Sequence, residues 1–143
     1  MTRKLFTLSF ACLFFTASSA FAQAQYKIKV TNLDNKAGKL YIGWYTDQET
    51  FMKPRKTALV KIVPVKDQSE ITVDFDKVPS GTYAISTFLD ENGNEDLDLS
   101  VVGKPKEKYG FSNNVTPAMR PADFKEAAFE VNGENKTLII KLK

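Results

Sequence analysis

Histidine is absent from this chain of 143 residues, and cysteine occurs only once. The first absence removes the commonest general base, the Ser–His nucleophile pair and the usual zinc ligand together. The second means that no intrachain disulfide can form, whatever the redox compartment. Stability therefore has to come from an ordinary hydrophobic core. No basic patch argues for nucleic acid: setting aside Arg3 and Lys4 at the N-terminus leaves 18 basic against 17 acidic residues. After the N-terminal segment no second long apolar run appears, so no transmembrane span is expected.

That segment has its own logic. Arg3 and Lys4 precede an apolar run at 5–15, and small residues then lead to Ala20-Phe21-Ala22. A charged start, a short apolar stretch and an A-x-A site are the pattern of a secretory signal peptide. The run is about eleven residues, whereas a membrane span needs roughly 20. Cleavage after Ala22 is expected, leaving a single domain over 23–143 in the periplasm or outside the cell. Cys12 lies inside the apolar run, and Ser9, three residues before it, argues against a lipid-attachment site.

Beyond residue 22 the chain alternates. Tyr26, Ile28 and Val30 are separated by Lys27 and Lys29, and Leu40, Ile42 and Trp44 repeat the pattern after an Asn/Asp/Gly turn at 33–38. Period two is the signature of half-buried strands, and the pair reads as a hairpin. Thr46 and Glu49 have capping-box spacing, which predicts one helical turn with Phe51 on the core, ended by Pro54. Residues 56–65 form a third strand that Pro64 confines to an edge. Ile71, Val73 and Phe75 mark a fourth, and Thr82 opens a fifth that runs to Leu89. A long irregular connection at 100–123 is broken by Gly103, Pro105, Gly110, Pro117 and Pro121. A helical turn follows Pro121, then a strand with Phe129 and Val131, a turn at Asn132-Gly133, and a last strand with Leu138, Ile140 and Leu142. About seven short strands, with one or two helical turns, argue an all-β antiparallel sandwich.

The fifth strand runs into LDENGNEDLDLSV, where Asp90, Asn92, Asn94, Asp96 and Asp98 place an oxygen donor on every second residue. Calcium takes six to eight oxygens, and this spacing matches positions 1, 3, 5, 7 and 9 of a helix-loop-helix calcium loop. Position 6, where that loop needs glycine, is Glu95, and position 12, where it needs a bidentate acid, is Val101. The competing reading is a turn whose Asp and Asn side chains cap their own main chain. That reading accounts for Asp90, Asn92 and Asn94 but leaves the charges of Asp96 and Asp98 unexplained.

Two further groups stand out in the long connection. Glu107, Tyr109, Phe111 and Asn113 combine rings with polar groups, as a ligand-binding surface would; the plainer reading has the rings plug the end of the sandwich. Glu107, Asp123 and Glu126 could be paired carboxylates of a hydrolase acting on envelope carbohydrate, although their spacing equally suits a solvated surface.

Three stretches in order, VPSGTYAISTFLDENGN, GKPKEKYGFSNN and PADFKEAAFEV, resemble the bacterial secreted domain-of-unknown-function family 2141. The resemblance implies an immunoglobulin- or transthyretin-like sandwich behind a signal peptide, and it implies no activity. It departs from the family at Glu95, where glycine is usual. The expectation is an exported, non-catalytic binding or structural module for an unknown ligand or envelope protein. Its one candidate cofactor is calcium, and the carbohydrate hydrolase is the alternative.

Overall fold

Along β1 (Gln23–Thr31) burial alternates: Ala24, Tyr26, Ile28 and Val30 point inward, Gln25 and Lys27 outward. That is the parity of a strand with one wet face. The computed structural model describes residues 23–53, 55–118 and 120–143; the expected signal segment at 1–22, with Cys12, and Pro54 lie outside the described residues.

Two sheets pack face to face. The first has three strands in the order β4 (Glu70–Pro79), β1, β8 (Lys136–Lys141). The second has β3 (Leu59–Val65), β2 (Gly38–Tyr45), β5 (Gly81–Asp90) and β6 (Tyr109–Phe111) in that order, with β7 (Phe129–Val131) paired to the first residues of β5. The fold is an all-β sandwich, as expected, and β3 with Pro64 is an edge strand. Its core is shared by Ile28 and Val30 of β1, Leu40, Ile42 and Trp44 of β2, Ile85 and Leu89 of β5, and Ile140 of β8, all fully buried.

Four expectations need correction. Residues 109–111, expected to lie in an irregular connection, form β6 and pair antiparallel with β5, Gly110 opposite Thr87. β1 and β2 do not form a hairpin, because they belong to different sheets. Their connection carries Asn32, Asp34 and Asn35 in the left-handed region, so it bends from one sheet to the other, and Leu33 is buried at the crossing, its N–H bonded to the Ser69 carbonyl at 3.0 Å. Nor is pairing antiparallel throughout: β8 runs parallel to β1, with Ile28 beside Leu138 and Val30 beside Ile140. A parallel pair needs a crossover rather than a tight turn, and here the rest of the domain is the crossover. Finally, the residues after β2 make turns rather than a helix. Asp47, not Thr46, is the capping residue, accepting the Thr50 N–H at 2.8 Å. Phe51 is nonetheless buried, as expected.

Phe51 belongs to a second, smaller cluster on the outer face of the five-stranded sheet. There Tyr45, Ala84 and Phe111 meet Ala122, Phe124 and Ala127. The last two lie on a single helical turn, α1 (Phe124–Ala127). Buried Ser112 joins the layers: its oxygen accepts the Ile85 N–H at 2.8 Å, and its hydroxyl donates to the Ala127 carbonyl at 2.5 Å. The outer face is covered at one end and bare at the other. Substitution of Ser112 by alanine leaves two buried main-chain groups without a partner, a loss of about 1–3 kcal/mol, and a urea melt of Ser112→Ala should show its midpoint lowered accordingly.

Candidate functional site

The bare end of the five-stranded sheet is built from outward-facing positions. Ile62, Tyr41, Phe88 and Tyr109 are directly paired across β3, β2, β5 and β6, and Val60, Gly43, Ser86 and Phe111 form the next row. Tyr41 and Phe88 stack with ring centroids 4.8 Å apart and planes within 10°. Val60 and Ile62 are 52% and 51% exposed. Together with Tyr45 and Met52 they line a cleft of about 640 Å³. One wall is the stretch 94–97 that follows β5, and Arg55 is the one basic residue of the lining, against Glu95 and Asp96. Packing at the sheet and the charges of Glu95, Asp90 and Asp96 push the Tyr41 hydroxyl above its ordinary pKa, burial being the larger cause.

That wall is held by its own polar side chains. Asp90 is buried, and its two carboxylate oxygens accept the N–H groups of Gly93 (2.7 Å) and Glu95 (3.1 Å). Asn92 and Asn94 accept the N–H groups of Asn94 and Asp96, both at 3.0 Å, as Asx-turns do. Their amide N–H groups donate to Asp98, from Asn92 at 2.5 Å and Asn94 at 3.0 Å. Asp98, which the turn reading left unexplained, is therefore satisfied by two amides. Asp96 stays exposed. Among the described residues no three of His, Cys, Asp and Glu gather closely enough to hold a metal ion. Glu107 lies beneath the loop, 8% exposed, and receives the N–H groups of Glu91 (2.9 Å) and Asp98 (3.2 Å). Outside it, Lys36 pairs with Glu91 and Lys108 with Asp34, each at 2.6 Å, which ties the loop to the crossing between the sheets.

Of the four residues proposed from sequence as a ligand surface, Tyr109 and Phe111 line the cleft. Glu107 is committed to main chain. Asn113 is turned to the covered end, where its amide donates to the carbonyls of Glu126 and Ala128 at 3.0 and 2.9 Å. The other two carboxylates weighed for hydrolysis face Arg120. Its guanidinium bonds Glu126 at 2.7 and 2.9 Å and lies 3.3 Å from Asp123. These bonds, with the Asp123 N–H also on Glu126, hold the Glu126 carboxyl down to about 2. Sequence reasoning missed Tyr41, Phe88, Val60 and Ile62. The available signal was an aromatic or branched residue at the parity that should face water.

Glu95 has φ +66°, a conformation that costs a side-chain-bearing residue about 1 kcal/mol and glycine little. A side-chain-bearing residue at this point thus adds strain that glycine would not. Glu95→Gly is expected to raise stability by about that amount, read as an upward shift of the melting temperature; a decrease would mean that the Glu95 side chain contributes something the main chain does not show.

No curated protein and no solved structure matches the chain. The profile of a family described as an uncharacterized protein conserved in bacteria matches residues 28–139, most of the sandwich. The chain belongs to that family, the domain of unknown function numbered 2141.

Proposed function

We propose that this protein is an exported, non-catalytic binding module that takes an apolar or amphipathic ligand on the bare end of its five-stranded sheet. The observation that carries this is the row Ile62, Tyr41, Phe88, Tyr109, placed outside the core and lining a cleft. Apolar side chains gathered in a concavity with a few polar groups at the rim are what a ligand site requires. Export is supported by the N-terminal pattern of Arg3, Lys4, the apolar run and Ala20-Phe21-Ala22. A non-catalytic role is supported by the employment of Glu107, Asp123 and Glu126, which hold main chain or Arg120. Because Tyr41 and Phe88 stack on one another, each has one face already used, so the floor suits an apolar body better than a flat sugar ring. The test is titration with a fluorescent apolar probe such as 1-N-phenylnaphthylamine. Saturable binding is expected, weakened about tenfold by Phe88→Ser, the equivalent of about 1.4 kcal/mol. A wild-type protein that leaves the probe dark at concentrations where it is monomeric would end this reading.

A second reading concerns calcium, favoured by the convergence of Asn92 and Asn94 on Asp98 and by the left-handed Glu95 at the sixth position of a loop whose main chain Asp90 holds. The ion would replace the two amide bonds to Asp98, and Asn92 and Asn94 would turn their oxygens inward. The ion's role would be structural, pinning the long connection to the end of β5. Calcium at a hundredfold excess over its Kd would stabilise by about 2.7 kcal/mol. For a domain of this size that is a rise of roughly 10 °C in melting temperature over a chelated sample, abolished by Asp98→Ala. A melting temperature indifferent to millimolar calcium would leave the loop as a hydrogen-bonded turn.

A further inference from the structure

Immediately after the acidic wall the chain projects a finger over 98–106. The Leu99–Pro105 bridge and two main-chain bonds, Ser100 N–H to Lys104 and Lys106 N–H to Asp98, zip its sides. A turn closes it, with the Gly103 N–H on the Ser100 carbonyl at 2.8 Å and Gly103 at φ +76°. The two residues at the apex are Val101 and Val102, 106% and 78% exposed, with Leu99 below them at 54%. Turn positions favour Gly, Pro, Asn, Asp and Ser, so two adjacent valines at an apex serve neither the turn nor the core. Lys104 follows the apex and Lys106 closes the base opposite Asp98, and neither ammonium joins an ion pair among the described residues.

The cleft is the complement of this tip. It offers an apolar floor, and on its wall Glu95 and Asp96 likewise join no ion pair among the described residues. Tip and cleft adjoin along the chain, since Leu97 lines the cleft and Asp98 begins the finger. In a two-fold pair each subunit contributes the same patch to the other, so a knob next to its matching hole is satisfied twice. We propose that the cleft receives the apex of the finger from a second copy of this chain, with Val101 and Val102 on Tyr41 and Phe88, and Lys104 and Lys106 beside Glu95 and Asp96. This inference rests on the reading of the cleft as a binding site and names its occupant.

Sedimentation equilibrium over a concentration series at low salt tests it, with circular dichroism confirming that each variant is folded. The expected result is a monomer–dimer equilibrium, weakened at least tenfold by V101D/V102D, by K104E/K106E and by E95K/D96K. Dimerisation should return when the two charge reversals are combined in one chain, because the swapped charges again oppose. The apolar probe should compete with dimerisation. A chain that stays monomeric while binding the probe overturns the self-docking and leaves the cleft as a site for something else. Dimerisation that ignores both charge reversals, with no probe bound, overturns both readings. Capture of the monomer by anionic vesicles, lost in V101D/V102D, would assign the tip to a lipid surface and also overturn the self-docking.

Discussion

Trp44 is the contact on which the two sheets depend. Its indole is fully buried on β2 and meets Tyr26 of β1 at 5.5 Å and Phe75 of β4 at 5.2 Å, both in the opposite sheet. On its own side it meets Tyr83 of β5 at 5.6 Å and Phe129 of β7 at 5.3 Å. Three of these pairs, those with Tyr26, Tyr83 and Phe129, are edge-to-face, a geometry worth about 0.5–1.5 kcal/mol each beyond area burial. Its ring N–H has no hydrogen-bond partner among the described residues, a cost of about 1–3 kcal/mol for a buried donor. Against that cost stand the indole's ring contacts to both sheets at once. In a chain without a disulfide, this cluster does the cross-linking.

Because Trp44 faces inward, its neighbours Tyr41, Gly43 and Tyr45 face outward, and the same parity on β5 turns out Ala84, Ser86 and Phe88. The position of the cleft follows from the placement of the core. One end of this outer face is closed by Phe51, Phe124 and the turns that carry them. The other end is bordered by the hydrogen-bonded loop anchored on Asp90 and Glu107. The site is thus a part of the sheet that the connections border without covering.

The longer strands were legible from alternation, and so was the turn after Leu89, because both are properties of neighbouring residues; β6, only three residues long, was not. Sheet membership was not. Residues 26–45 look like a hairpin, since alternating strands and a polar turn are the same whether the chain folds back in one sheet or crosses to the other. The parallel pairing of β1 with β8 depends on residues about 110 positions apart and has no local signal. Tyr109 and Phe111 could be singled out as surface rings because they sit in a loop-like stretch. Tyr41 and Phe88 were lost among core residues, where an aromatic on the wet face reads as one more apolar residue. Glu107, Asn113 and Asn114 were unreadable for a different reason: each satisfies main chain from a distant segment, as when Asn114 bridges Ile139 and Lys141 of β8.

The adjacency of β1 and β8 also governs how the molecule can assemble itself. The first strand gains its second neighbour only when the last strand arrives, so the three-stranded sheet cannot close during stepwise emergence of the chain. Topologies dominated by such remote pairings fold slowly, because loop-closure entropy is spent before the contact is rewarded. Until then β1 has only β4 beside it, and its other hydrogen-bonding edge stays open. Within the five-stranded sheet, β2, β3 and β5, with shorter spans between them, are the part able to form early and wait.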